Sequence, residues 1–177
     1  MIFLVGYRGA GKTTVARLLA ARLGWDWQDA DAVLEATLGR TISEIFATDG
    51  EVAFRNVEAD VLANACKLSR TVVATGGGVV LRQENWTRMR QVGRVVWLTA
   101  DVDTICRRLQ SDVAAGRPRP ALTVGGRAEV EQLLREREPL YRACAEFAVE
   151  TAGRTPEEVA EEIQRRLMSQ NPSNIPH

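Results

Sequence analysis

The chain has 177 residues, one domain's worth, and at 45% hydrophobic it can bury a single core. Basic and acidic side chains both total 23, so no overall positive field invites nucleic acid, and the arginines that dominate the basic set suit planar recognition of phosphate and carboxylate. Three scattered cysteines without a CxxC, and a single histidine at the last position, argue against a disulfide framework, a zinc site and any histidine-dependent catalysis.

Reduced thiols at Cys66, Cys106 and Cys144 in a cytoplasmic protein are therefore expected. The first apolar run, IFLV (2–5), predicts a buried strand; it breaks off too early, without a basic lead, to be a signal peptide. No stretch approaches the ~18 apolar residues of a bilayer span, so no membrane partner is expected. A helix follows over roughly 12–23, with Val15, Leu18, Leu19 and Leu23 apolar, and then DWQD (26–29) as a short strand. Residues 31–61 predict a mostly helical insertion outside the core layers, with an exposed-looking TDGE at 48–51 and a capping box at Thr41-Ile-Ser-Glu44.

TVVA (71–74) and RVVWL (94–98) predict strands, and EFAVE (146–150) a last one. Between them SDVAAGRPRPALTVGG (111–126), rich in Gly, Pro and Arg, predicts a second insertion, either a mobile flap or a plain surface loop. Thr155-Pro156-Glu157-Glu158 fits another capping box with proline at the first helical position. The tail 169–177 is expected to be disordered, and there is no internal repeat. Continuous apolar strands alternating with helices indicate a doubly wound α/β domain, its parallel sheet covered on both faces.

Gly6-Tyr-Arg-Gly-Ala-Gly11-Lys12-Thr13 matches G-x-x-x-x-G-K-[ST], and it sits where the motif works, after a strand and opening a helix. Backbone N–H groups of such a loop, at Gly9, Ala10 and Gly11 and on through Thr13 and Thr14, point inward at a phosphate, aided by the helix N-terminus. Lys12 can reach the β- and γ-phosphates, and the Thr13 hydroxyl can ligate Mg²⁺. A signalling GTPase would add NKxD and DxxG, and both are missing; a motor ATPase would add an apolar strand ending in Asp, whereas TVVA runs into Thr75 and three glycines. Small length, two insertions and an arginine-bearing flap point to a small-molecule kinase that closes over ATP.

On the acceptor side, Asp29-Ala30-Asp31 puts two carboxylates at the end of the second strand. One can hold Mg²⁺ through water while the other binds an acceptor hydroxyl and draws its proton. Equally, Asp31 can be the N-cap of the helix that follows. Arg55 and Glu58 share a helix face at i, i+3 and can simply pair; Phe46 and Phe54 suit either core or pocket wall. Residues 75–78, TGGG, carry more glycine than a turn requires, so something must pass close to the backbone there.

In this order GAGKTT, the D-x-D at 29–31, SEIFATDGEVAFR (43–55), TGGG (75–78), RP-x-L (119–122) and PLYR (139–142) resemble shikimate kinases over about 1–168. The phosphate loop is widely shared, whereas the combination of IFATDGE…FR, GGG and PLYR is specific. The resemblance implies a nucleoside-monophosphate-kinase-like P-loop fold, a single domain over 1–168 with a five-stranded parallel sheet, helices on both faces, a substrate-binding insertion at 31–61 and a lid at 111–126. It implies ATP-dependent phosphorylation of the shikimate 3-hydroxyl by a monomer, with Mg²⁺. Asp31 would bind the hydroxyls and act as base, and Asp29 would hold Mg²⁺-bound water beside Thr13. Arg55 and Arg142 would clamp the carboxylate, Glu58 would hold Arg55, and Arg108 would stack on adenine beside the backbone of 154–156. Arg119 would close over the phosphates. The flap reads RPRPALT where the family usually has RPLL, so Arg117 is a second candidate for that last role. Gly76, Gly77 and Gly78 would floor the acceptor pocket, Gly77 foremost, where a side chain would fill the volume of the ring. The rivals are a kinase for another small acid such as gluconate and an ATP-binding module without turnover.

Overall fold

The computed structural model describes residues 1–114 and 126–170. Five strands, β1 (Ile2–Val5), β2 (Asp26–Asp29), β3 (Thr71–Ala74), β4 (Arg94–Thr99) and β5 (Phe147–Glu150), form one parallel sheet in the order β2-β3-β1-β4-β5. Between and after them run α1 (Lys12–Leu23), α2 (Ala30–Leu38), α3 (Ile42–Ala65), α4 (Gln83–Val92), α5 (Val102–Ala114), α6 (Gly126–Cys144) and α7 (Pro156–Gln170).

Successive side chains of a strand point to opposite faces, and both faces here are apolar. Phe3, Val5, Val73 and Val95 pack with Leu62 of α3, Met89 of α4 and Tyr141 and Cys144 of α6. Ile2, Leu4, Val72, Val96, Leu98 and Val149 pack on the other side with Val15 and Leu19 of α1 and Val159 and Ile163 of α7. Each fully buried side chain of this kind contributes about 1.5–3 kcal/mol. A smaller cluster of Tyr7, Ile105 and Val130 fastens the phosphate loop to α5 and α6.

Three of the boundaries expected from the sequence shift. The stretch 31–61 is not wholly an excursion: from Phe54 onward α3 joins the core through Val61, Leu62 and Ala65, and only its first part stands outside. Helical geometry breaks at Gly50 (φ 80°, ψ 174°), inside the TDGE run. At the flap, α5 continues through 111–114 and α6 starts at Gly126; the rest, with Arg117 and Arg119, lies outside the described residues, as does 171–177. The helix α7 runs to Gln170, two residues past the expected end of the domain. Both capping boxes form: Thr41 with Glu44, and Thr155 with Glu158.

The chain leaves β1 for β2 on one side, returns to β3 beside β1, then crosses to β4 on the other side. The loops after β1 and β3 thus open side by side at the carboxyl ends of the strands, where such sheets form their binding crevice. Leu4 and Asp29 are both in register with Ala74, and Thr75 bonds back to the Leu4 carbonyl through its N–H (3.1 Å) and hydroxyl (2.9 Å).

Candidate active site

The loop between β1 and α1 takes left-handed backbone at Gly9 (φ 80°) and Gly11 (φ 92°), a conformation that any other residue would adopt only with strain. Gly11 stands at the N-cap of α1. The buried Lys12 ammonium donates to the carbonyls of Gly6 (2.8 Å) and Tyr7 (3.0 Å), lying along the loop that its charge would share with a phosphate. Ala10 is buried and Thr14 exposed. Arg108 reaches across from α5 to the Gly9 carbonyl (3.1 Å) and to the hydroxyl (2.9 Å) and carbonyl (2.8 Å) of Thr151, bridging the phosphate loop and the turn before α7.

Asp29, not Asp31, caps α2. One of its oxygens accepts from the N–H groups of Asp31 (3.0 Å) and Ala32 (3.3 Å), and the other from the Thr13 hydroxyl at 2.5 Å. A hydroxyl and a carboxylate in contact at a phosphate loop are hard oxygen donors of the kind that Mg²⁺ takes while keeping several waters. No group of three or more His, Cys, Asp or Glu among the described residues offers an all-protein metal cage. Asp31, the second residue of α2, is released from capping and lines a cavity of about 490 Å³.

That cavity brings together Asp31, Arg55, Glu58, the three glycines, Arg8 and Arg137, with Phe46 and Phe54 along one wall (ring centroids 4.5 Å apart). Arg55 is 7% exposed, donates to Glu58 at 2.7 Å and to Glu51 at 3.2 Å, and lies over the Phe54 ring. Burial pushes the Glu58 carboxyl above its ordinary range, opposed by the Arg55 charge and hydrogen bond. A guanidinium fixed in this way is a preset fork for an anion.

Part of the room that the three glycines make is taken up by the protein itself. None lies in the left-handed region. A Cβ on Gly76 would come 2.7 Å from both Asp31 Oδ1 and Glu58 Oε1, and one on Gly78 would overlap the Arg55 guanidinium. A Cβ on Gly77 would press on the phosphate-loop backbone at Arg8 N (3.3 Å). What passes close to this backbone is first the protein's own side chains and its other glycine loop, before any ligand.

Arg142 is not in this cavity. Its side chain is 71% exposed, pairs with Glu138 one turn away (2.7 Å), lies over Trp97 and lines a separate cavity of about 520 Å³. The arginine that α6 presents to the acceptor side is Arg137, five residues earlier, which is about 140° around the helix axis. Its guanidinium lies over Tyr7 and approaches the Gly77 carbonyl at 3.5 Å. The sequence held a signal for this. Val130, Leu133, Leu134, Tyr141 and Cys144 trace the inward stripe of α6, and Arg137 interrupts it at helical spacing. Arg8 and Glu129 (3.8 Å apart), which join the phosphate loop to the start of α6 at the cavity edge, had no comparable signal.

The shikimate kinase family model matches residues 8–168. Shikimate kinases of Thermobifida fusca and Gloeobacter violaceus are 46% and 45% identical, over 93% and 94% of this chain and 92% and 91% of their own lengths. Among solved structures, a shikimate kinase from Acinetobacter baumannii in complex with shikimate superposes with a TM-score of 0.88 at 37% identity, covering 96% of this chain and 93% of that one. The enzyme from Bacteroides thetaiotaomicron gives 0.82 at 31% identity, covering 96% of each chain. With a glycine-cradled phosphate loop opening onto an arginine-lined cavity, and likeness of this extent in both sequence and structure, the chain belongs to the shikimate kinase family.

Proposed function

We propose that this chain transfers the γ-phosphoryl group of ATP to the 3-hydroxyl of shikimate, giving shikimate 3-phosphate and ADP. The observation that carries the proposal is the polarity of one cavity. Arg55 and Arg137, with Arg8 of the phosphate loop, line it together with the carboxylate of Asp31, and it abuts the phosphate loop. A small anion with several hydroxyls needs both ends.

In this reading Arg55, braced by Glu58, and Arg137 hold the carboxylate of the acid; Arg137 takes the place first given to Arg142. Asp31 orients the reacting hydroxyl and receives its proton as the oxygen bonds to phosphorus and ADP leaves. A loose transition state asks more for positioning than for basicity, so alignment is its larger task. Lys12 moves from the Gly6 and Tyr7 carbonyls onto the phosphates, which the N–H groups of Gly9 through Thr14 cradle. Thr13, and Asp29 through water, would hold Mg²⁺, which would supply charge neutralisation at the phosphates. Arg108, its edges tied to Gly9 and Thr151, offers a flat face to adenine. Arg119, outside the described residues, is assigned the transferring phosphoryl charge.

A single chain is taken as the working unit, and the cytoplasm as its setting, in keeping with three free thiols. No helix among the described residues is long and apolar enough to cross a membrane. Coupled ADP release with shikimate, with gluconate and with no acceptor tests the reaction. Shikimate-dependent release supports it; release with gluconate alone, or none above the acceptor-free rate, overturns it.

A further inference from the structure

Tyr141 is wholly buried in α6, yet its hydroxyl is not idle: it donates to the Gly77 carbonyl at 2.5 Å. The ring is held on its other side by Trp97, stacked at 5.8 Å between centroids and 20° between planes. Burial lifts the phenol far above its ordinary pKa, so it remains a donor at any working pH.

The peptide that receives this bond joins two glycines, the residues with the widest backbone freedom, and neither has a side chain to brace it. No peptide of the described chain is cis, and in a trans peptide the carbonyl and the following N–H point in opposite directions. With the Gly77 carbonyl turned to Tyr141 and Arg137 of α6, the Gly78 N–H is turned the opposite way, and Gly78 is itself one of the residues that line the acceptor cavity. The same helix sends Arg137, one turn earlier, into that cavity and within 3.5 Å of the same carbonyl.

We propose that Tyr141 is a positioning residue for the acceptor: its hydroxyl fixes the Gly77–Gly78 peptide so that the Gly78 N–H is presented to the bound acid. The inference rests on the proposed reaction and adds to it a group that touches no substrate. One helix then orients both a charged and a neutral donor of the acceptor site.

Tyr141→Phe keeps the ring and its stack on Trp97 and removes only the donor. The shikimate KM is expected to rise about 5–10-fold, the usual weight of one hydrogen bond, with the ATP KM unchanged within about twofold. An unchanged shikimate KM, or both KM values rising together, overturns the proposal. Amide exchange on the unmodified enzyme is independent of how the variant folds. The Gly78 N–H should exchange more slowly when shikimate is added, and no slowing overturns the proposal as well. Turnover by the unmodified enzyme, measured alongside, separates the two readings. No turnover of shikimate sinks the reaction itself, whereas normal turnover with an unaffected Tyr141→Phe sinks only the role of the hydroxyl.

Discussion

Arg137→Ala and Arg142→Ala, assayed as a pair, put the proposed acceptor clamp of Arg55 and Arg137 at risk. Arg137 contributes to the fold a cation–π contact with Tyr7 at 5.8 Å and a long bond to Gly77 at 3.5 Å. Those are worth about 0.5–1 kcal/mol, or a fall in Tm of about 1–4 °C for a chain of this size. Its loss to substrate is larger. A charge-assisted hydrogen bond contributes roughly 1.5–3 kcal/mol, and at about 1.4 kcal/mol per decade the shikimate KM should rise about 10–100-fold. Arg137→Lys keeps the charge without the planar fork, so its KM should fall between the two. Arg142 is 71% exposed and pairs with Glu138 on its own helix, an arrangement worth about 0–1 kcal/mol, so Arg142→Ala should leave both KM values unchanged. The assay is coupled ADP release, with shikimate varied at saturating ATP and then the reverse. A raised shikimate KM in Arg142→Ala with a normal one in Arg137→Ala would refute the reasoning. So would an ATP KM that rose as much as that for shikimate.

Gly78→Ala places a methyl group where the Arg55 guanidinium stands, and should lower kcat/KM for shikimate by about 10²-fold, whereas Gly77→Ala, meeting only a 3.3 Å contact, should be milder; equal effects would contradict the crowding argument. Thr13→Val removes the hydroxyl bonded to Asp29 and should raise the Mg²⁺ concentration for half-maximal rate about 10-fold or more; an unchanged titration would remove Thr13 from the metal site. Glu58 supplies a prediction in pH. Because burial raises its pKa, the native chain binds this proton more tightly than the unfolded one. Its contribution to stability is therefore complete below the ordinary value of 4.5 and declines as pH rises through the raised native value. Tm followed from pH 4 upward should lose that component of its slope in Glu58→Gln, and an identical slope in the variant would show that the group is not perturbed.

Much of this protein was legible because its signals are local. The phosphate loop is strand, loop and helix in one continuous stretch from Ile2 to Leu23, so the residues that make it also place it. The strands announced themselves as apolar runs because both faces of the sheet are covered, and the capping boxes at Thr41 and Thr155 close within four residues. Family likeness then brought Asp31, Arg55 and the glycine loop to the acceptor side, and in the structure all of them line one cavity.

What no local pattern carries is what an inward side chain of a helix meets, and which distant residue occupies the space beside a glycine. Arg142 follows PLY and Arg137 stands two residues before it; the apolar stripe of α6 marks Arg137 as inward, but only the seating of α6 on the sheet, with Tyr141 in the core, decides that inward here means the acceptor cavity. Likewise TGGG shows in the sequence as a demand for room. The room is taken by Asp31, Glu58 and Arg55, which arrive from α2 and α3 once β2 and β1 have paired with β3. Those contacts join residues about 20 to 45 positions apart, a distance that only chain packing can close.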